Sequence, residues 1–177
     1  MRSSSFALVL LVALGASAST AHADWNPDGS VAAQLHFELG DQGERGGTIL
    51  VDLWKRFDLF RIGLAAGVGA LTGGADAGES NRAFAPIGLT LGIAGIGDYV
   101  GGSLTVRAGP WGGATNDGLK GGLFVSVGGS LDIRWGERLA VAFVLDYWLI
   151  MGAGETRSTL APGVALRWTW QEEEAPL

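Results

Sequence analysis

The chain has 177 residues, 47% of them hydrophobic, and its 18 acidic and 12 basic residues give a formal net charge of −6 at pH 7. A negative chain is a poor partner for nucleic acid. Because the sequence has no cysteine, it excludes disulfides, a lipidated N-terminal cysteine and cysteine metal sites.

The first predicted element is a cleavable signal peptide over residues 1–23. Arg2 supplies a positive charge, Phe6 to Leu14 form an apolar segment, and residues 21–23 (Ala-His-Ala) form a small-residue cleavage site. Residues 16–18 (Ala-Ser-Ala) offer an earlier site. The apolar segment is too short to span a bilayer as a helix, which needs about 20 residues. We therefore expect export and removal of this segment.

From Val31 onward, bulky residues recur at every second position in eight segments, with small and charged residues between them. This alternation predicts β-strands that each have one face in an apolar medium. In chain order the bulky faces are Val31 to Leu39, Ile49 to Leu53, Phe60 to Val68, Ile87 to Ile93, Val100 to Val106, Leu123 to Ile133, Leu139 to Tyr147 and Leu160 to Trp170. We predict an all-β fold, an eight-stranded antiparallel up-and-down transmembrane β-barrel over residues 24–170. An acidic periplasmic tail follows over residues 171–177.

The predicted connections alternate in length. Tight hairpins are expected at Phe57-Asp58, at Gly97-Asp98 and around Gly136-Glu137. Longer polar loops are expected at Gly40 to Gly46, Thr72 to Arg82, Gly112 to Gly118 and Gly152 to Arg157. Short turns on one rim and longer loops on the other are typical of outer-membrane barrels, with both termini on the periplasmic side.

A soluble, lipocalin-like ligand carrier is the structural alternative, because its apolar face would point inward. The small residues of the other face favour the membrane barrel. The non-aliphatic face consists of Arg61, Gly63, Ala65, Gly67 and Gly69 in the third strand and of Pro86, Gly88, Thr90, Gly92 and Ala94 in the fourth. Glycine and alanine suit the crowded interior of a narrow barrel, whereas a water-exposed strand face is normally richer in long polar side chains.

Aromatic residues support a membrane location. Four of them share the aliphatic face at the short-turn rim, where an interfacial girdle is expected. The predicted girdle consists of Phe60, Trp135, Trp168 and Trp170.

The last strand carries a resemblance to a known family. Val164, Leu166, Trp168 and Trp170 resemble the alternating, aromatic-terminated signal by which outer-membrane barrels are recognised for assembly. The chain is similar throughout to eight-stranded barrels of the OmpA/OmpX type, although residues 171–177 continue beyond the last aromatic. This resemblance implies a Gram-negative outer membrane, contact with its lipid and lipopolysaccharide, and the outer-membrane assembly machinery as a partner. It implies no particular activity.

The inward faces carry a predicted lumen charge network. Its members are Glu38, Asp52, Arg61, Arg107, Lys120, Asp132, Arg134, Asp146 and Arg167. A tight turn at Phe57-Asp58 would set Trp54 opposite Arg61 and place Asp52 on the diagonal, so Arg61 would be within reach of both a cation–π contact and an ion pair. We expect the charges to neutralise one another and, with the inward aromatics, to plug the lumen. A narrow channel for water or small ions is the alternative.

Catalysis has little support in the sequence. His36 is the only histidine beyond the signal peptide, so the usual transition-metal ligand sets are missing. A lipid-modifying barrel enzyme would need a serine, a histidine and an acid to converge. His36 and Glu38 share a face, but no serine is distinguished by its local sequence. We predict no catalytic residue, no cofactor and no metal, and a structural or surface-interaction role with an extracellular partner bound through the loops.

Overall fold

The computed structural model describes residues 28–39, 43–73, 81–96, 99–115, 118–136, 138–152 and 155–169. The predicted signal peptide, the acidic tail and Trp170 lie outside these residues. The strands are β1 (Asp28–Glu38), β2 (Arg45–Phe57), β3 (Phe60–Thr72), β4 (Asn81–Ile96), β5 (Val100–Thr115), β6 (Gly118–Arg134), β7 (Leu139–Gly152) and β8 (Glu155–Trp168). The described residues form no helix long and apolar enough to cross a membrane.

The strands close into a barrel. Each pairs antiparallel with the next in the chain, and β1 pairs with β8. The strand register is staggered around the barrel, and this stagger is its shear. A path from Asp28 through the paired residues of each strand in turn returns to β1 at Glu38, ten residues further along. The paired residues on this path are Trp54, Gly63, Thr90, Arg107, Ser126, Trp148 and Thr159. This offset tilts the strands by about 40° to the barrel axis. The predicted eight-stranded antiparallel barrel is confirmed.

The two faces of the wall have opposite chemistry. On β4, Leu89 and Leu91 are 62% and 54% exposed, whereas Thr90 between them is 2% exposed. The same alternation of exposed aliphatic and buried polar or small residues recurs in the other strands. A lipocalin-like carrier would need its apolar face inside, so that alternative is wrong. A wall of this kind is stable when lipid acyl chains surround it.

Small residues make room inside the narrow barrel. A Cβ atom at Gly63 would lie 2.0 Å from the Leu53 carbonyl oxygen, and one at Gly128 would lie 1.6 Å from Oδ1 of Asp146. Gly128 therefore leaves the space that the Asp146 carboxylate occupies. The inward glycines and alanines thus permit larger charged side chains on neighbouring strands to meet in the lumen.

The connections define two rims. The turn rim carries Asp28, Thr169 and the connections 58–59, 97–99 and 135–138, and the loop rim carries the connections 39–44, 73–80, 116–117 and 153–154. The predicted longer loops at Gly112 to Gly118 and Gly152 to Arg157 are wrong, because the strands continue to residues 115 and 152 and resume at residues 118 and 155. Strand pairing needs only backbone groups, so the glycine-rich and polar ends keep pairing beyond the apolar band.

The first hairpin turn is one residue later than predicted. Phe57 pairs with Phe60, so the turn residues are Asp58 and Leu59. Asp58 has a φ of 55°, in the left-handed region that aspartate tolerates better than most residues. At the third turn Gly136 also has a positive φ, of 85°. Gly97, Asp98 and Glu137 of the other predicted turns lie outside the described residues.

The later turn changes which side chains face each other. Trp54 lies opposite Gly63, and Arg61 lies opposite Arg56. The predicted pairing of Trp54 with Arg61 is therefore wrong in register. The predicted cation–π contact is confirmed, because the Arg61 guanidinium lies 4.9 Å from the Trp54 ring centroid. The carboxylate of Asp52 binds Arg107 of β5, so the predicted contact of Asp52 with Arg61 is wrong as well.

Candidate functional site: the charged lumen

A buried ion triad occupies the middle of the lumen. Arg107 donates from Nε to Oδ1 of Asp52 at 2.9 Å and from Nη2 to Oδ2 of Asp52 at 3.0 Å, and its Nη1 donates to Oδ2 of Asp146 at 2.9 Å. Thr90 donates to Asp52 at 2.9 Å, and Gln34 donates to Asp146 at 2.5 Å. A bidentate guanidinium–carboxylate pair with further hydrogen bonds is the arrangement that best compensates charges for their loss of water. The triad therefore crosses the lumen and joins β2, β5 and β7.

An aromatic layer that contains His36 also lies in the lumen. The ring nitrogens of His36 lie 2.9 Å from Oγ1 of Thr159 and 2.7 Å from Oγ1 of Thr48. The His36 ring packs edge-on against Trp148, with centroids 5.3 Å apart, and Trp148 stacks on Phe124 at 5.2 Å. His36, Phe124 and Trp148 are each at most 1% exposed. The rings of this layer pack across the barrel lumen and bury His36, which therefore has no contact with lipid.

A second charge cluster, which the sequence analysis missed, lies toward the loop rim. Glu44 is 1% exposed and forms ion pairs with Arg157 and with Arg82, the latter with Nε 3.6 Å from Oε1. All three residues were assigned to loops. The alternation of β4 and β8, continued toward the loop rim, would have placed Arg82 and Arg157 on the inward face. Glu44 directly precedes β2, and the alternation of that strand, continued toward the loop rim, would have placed it on the inward face as well.

A third cluster lies at the turn rim. Arg167 donates from Nη1 to Oδ2 of Asp132 and, at 3.2 Å, to the Ser103 hydroxyl. Ser130 also donates to Asp132, at 2.7 Å. These contacts surround one side of a cavity of about 60 Å³, which Arg61 and other arginines line from the other strands.

The remaining predicted lumen residues lie at the two ends. Glu38 accepts a hydrogen bond from the Glu44 backbone N–H at 3.0 Å, and Lys120 lies on the inward face of β6 near the loop rim. Arg134 lines the turn-rim cavity. The nine predicted charges thus fall on inward faces but form separate clusters at different depths rather than one continuous network.

The predicted aromatic girdle lies partly within the described residues. Phe60 and Trp135 are exposed at the turn rim. Trp168 packs over Gly29 on the outer wall, where a Cβ atom would lie 2.4 Å from Cζ2 of the indole. Glycine at this position therefore lets the indole lie flat against the wall. That these residues form an interfacial girdle stays a prediction.

The described residues contain no group of three or more His, Cys, Asp or Glu side chains that could hold a metal ion. His36 has threonine hydroxyls at both ring nitrogens, which resembles the spacing of a base and a nucleophile. Its complete burial among lumen side chains separates it from any lipid ester at the outer wall. The charged lumen side chains hold neighbouring and distant strands together through ion pairs. His36 is not an accessible reacting centre.

Comparison with known proteins identifies the fold. No family model matches the chain, and no curated protein matches it in sequence. Neisserial surface protein A (NspA) superimposes with a TM-score of 0.63 at 11% identity, over 81% of this chain and 97% of that structure. At this identity the similarity is one of fold.

Two further similar structures have lower scores. The outer membrane protein OprG from Pseudomonas aeruginosa gives a TM-score of 0.49 at 12% identity, over 80% of this chain and 93% of its own. The outer membrane enzyme PagL gives 0.49 at 11% identity, over 78% of this chain and 97% of its own. The strand pairing and the superposition on NspA show that the chain is a closed eight-stranded antiparallel barrel with the fold of the small bacterial outer-membrane barrels.

Proposed function

We propose that the chain is an integral outer-membrane barrel with a structural or surface-interaction role and a lumen plugged by its own side chains. The observation that carries this proposal is the Asp52–Arg107–Asp146 triad, which crosses the lumen in nearly complete isolation from solvent. An ion that passed this level would have to break charge-assisted hydrogen bonds that are strong in a medium of low dielectric constant.

The layers above and below the triad support a closed lumen. The turn-rim cavity has a volume of about 60 Å³, and a cavity beneath the loop rim has about 20 Å³. His36, Phe124 and Trp148 fill space between the two rims. Water needs a polar and continuous path to conduct, and among the described residues the ion triad and the aromatic layer lie between the two rim cavities.

The outer wall and the loop rim are the surfaces on which partners would bind. The exposed aliphatic wall would contact outer-membrane lipid and lipopolysaccharide, and β8 would present the assembly signal to the outer-membrane machinery. The two longer loop-rim connections, 39–44 and 73–80, offer the most chain for an extracellular partner. The connections 116–117 and 153–154 are too short for this role, so we place loop recognition on the β1–β4 side of the rim.

Single-channel recording in planar bilayers tests the closed lumen. We expect the refolded parent to give no conductance steps at ±100 mV. The triple variant Asp52→Ser/Arg107→Ser/Asp146→Ser removes the triad and should raise the membrane current if the protein still folds. Arg45→Ser is the matched control, because Arg45 is an exposed arginine near the loop rim. Regular conductance steps from the parent would contradict the proposal and favour the narrow channel.

We further propose that the chain is not a lipid hydrolase, and His36→Ala tests this. The variant should be destabilised by about 1–3 kcal/mol, because the Thr48 and Thr159 hydroxyls lose a buried partner. Neither parent nor variant should release acyl chains from bilayer phospholipid or lipopolysaccharide. A parental activity that His36→Ala abolishes, with the barrel intact by heat-dependent gel mobility, would overturn the non-enzyme proposal.

A further inference from the structure

Five arginines converge at the turn rim. They come from β2, β3, β6, the turn before β7, and β8, and they line the cavity of about 60 Å³. This set, the arginine pocket, consists of Arg56, Arg61, Arg134, Arg138 and Arg167. Because β1 and β8 close the barrel, strands from opposite ends of the chain contribute to one opening.

The acidic side chains of the pocket do not balance this charge. Asp132 is bound by Arg167 and Ser130, and Asp28 accepts a hydrogen bond from the Thr169 hydroxyl at 2.6 Å. Without Arg56, which has a partner of its own, the other four arginines against two aspartates leave an excess of two positive charges among the described lining side chains. Guanidinium groups that line one cavity repel one another, so a further negative charge at this position would be stabilised.

The pocket also holds donors that need an acceptor. Nε of Arg61 and Nε of Arg167 are buried without a hydrogen-bond partner, and the Arg167 side chain is only 10% exposed. A planar guanidinium presents its N–H groups in a fork that matches the oxygens of a carboxylate or phosphate. Buried donors of this kind favour an anionic oxygen ligand over a neutral one.

We propose that the arginine pocket binds one oxyanion group, a carboxylate or a phosphate. Its small volume suits a single such group rather than a larger ligand. Two sources supply this chemistry. One is the run Glu172, Glu173 and Glu174, which begins three residues after the lining residue Thr169, and the other is free inorganic phosphate. The inference does not depend on whether the lumen conducts.

The indole signal of Trp54 reports on the pocket, because Trp54 is buried on the inward face of β2 and lines the pocket. The refolded protein in a neutral maltoside detergent would be titrated with inorganic phosphate at constant ionic strength, since screening alone changes surface electrostatics. We expect a saturable shift of this signal when Glu172, Glu173 and Glu174 are all replaced by glutamine. In that background Arg138→Gln should weaken phosphate binding about tenfold. Arg138 is exposed at the rim, so this change should not impair folding.

Arg45→Gln is the matched control, because it removes an exposed arginine at the opposite rim and should leave phosphate binding unchanged. If the glutamates are the ligand, their replacement alone shifts the Trp54 indole signal and strengthens phosphate binding. If free phosphate is the ligand, parent and triple glutamine variant bind it equally. The proposal is overturned if neither phosphate nor the glutamine changes move the Trp54 signal. It is equally overturned if Arg45→Gln weakens binding as much as Arg138→Gln.

Discussion

Replacing Arg107 by methionine is expected to destabilise the barrel by about 3–5 kcal/mol, because two buried carboxylates lose their shared counter-ion. Asp52 and Asp146 are at most 3% exposed, so water cannot replace the guanidinium without entering the lumen. The measurement is denaturant-induced unfolding in short-chain phosphatidylcholine vesicles, followed by tryptophan fluorescence. Parent and variant should be compared under conditions in which folding is reversible.

The triple variant Asp52→Asn/Arg107→Met/Asp146→Asn is the control for this effect. It has a similar volume and buries no charge at this level, so we expect it to recover most of the stability lost in Arg107→Met. Arg107→Lys keeps the charge and loses the bidentate geometry, and its cost should be intermediate. If the triple variant is as unstable as the single one, lost packing rather than an unpaired charge sets the penalty.

Leu91→Arg is expected to cost about 2–4 kcal/mol, because the charge must enter hydrocarbon. Leu91 is 54% exposed on the outer wall and lies five residues from the turn-rim end of β4. At about 3.3 Å per residue and a tilt of about 40°, it lies about 13 Å from that end, near the middle of an apolar band about 25 Å tall. The free energy of unfolding in vesicles measures the cost.

Two control variants separate the effect of the depth of the charge in the bilayer from the effect of the barrel face on which it lies. Leu119→Arg places the same charge on an 89% exposed position at the loop-rim end of β6, where the penalty should fall to about 0–1 kcal/mol. Thr90→Arg enters the lumen beside Asp52 and Arg107, so its cost should not vary with bilayer thickness. The Leu91→Arg penalty should vary with thickness. Equal and thickness-independent penalties for Leu91→Arg and Thr90→Arg would show that the assignment of the two faces is wrong.

The alternation of side chains determined most of the fold from the sequence alone. Each strand's facing is a local property, because successive residues of an extended chain point to opposite sides whatever the strand pairs with. Leu89, Thr90 and Leu91 could therefore be assigned correctly without any knowledge of neighbours. Eight such segments without a helical pattern between them predict a closed barrel, and the small inward residues predict a narrow one.

Strand ends were harder to predict than strand faces. Hydrophobic alternation stops at the edge of the apolar band, whereas backbone pairing continues to Thr115 and Gly152. For this reason the hydrophobic pattern places Arg82 and Arg157 in loops and does not reveal their ion pairs with Glu44. Hydrophobic alternation also does not determine the position of a turn. This position depends on which residue can adopt a positive φ, and in the first turn that residue is Asp58.

The partners of the lumen charges were decided by the tertiary structure. The sequence by itself determined that the side chains of Asp52 and Arg107 point into the lumen. The register of the strands and the shear of the barrel decided that these two side chains form an ion pair. An offset of ten residues around eight strands brings β2 and β5 to one level, although two strands lie between them. The same offset gathers five arginines from distant segments at the turn rim. A period of two specifies the side of a sheet, but the distance between two inward side chains depends on the closure of the whole barrel.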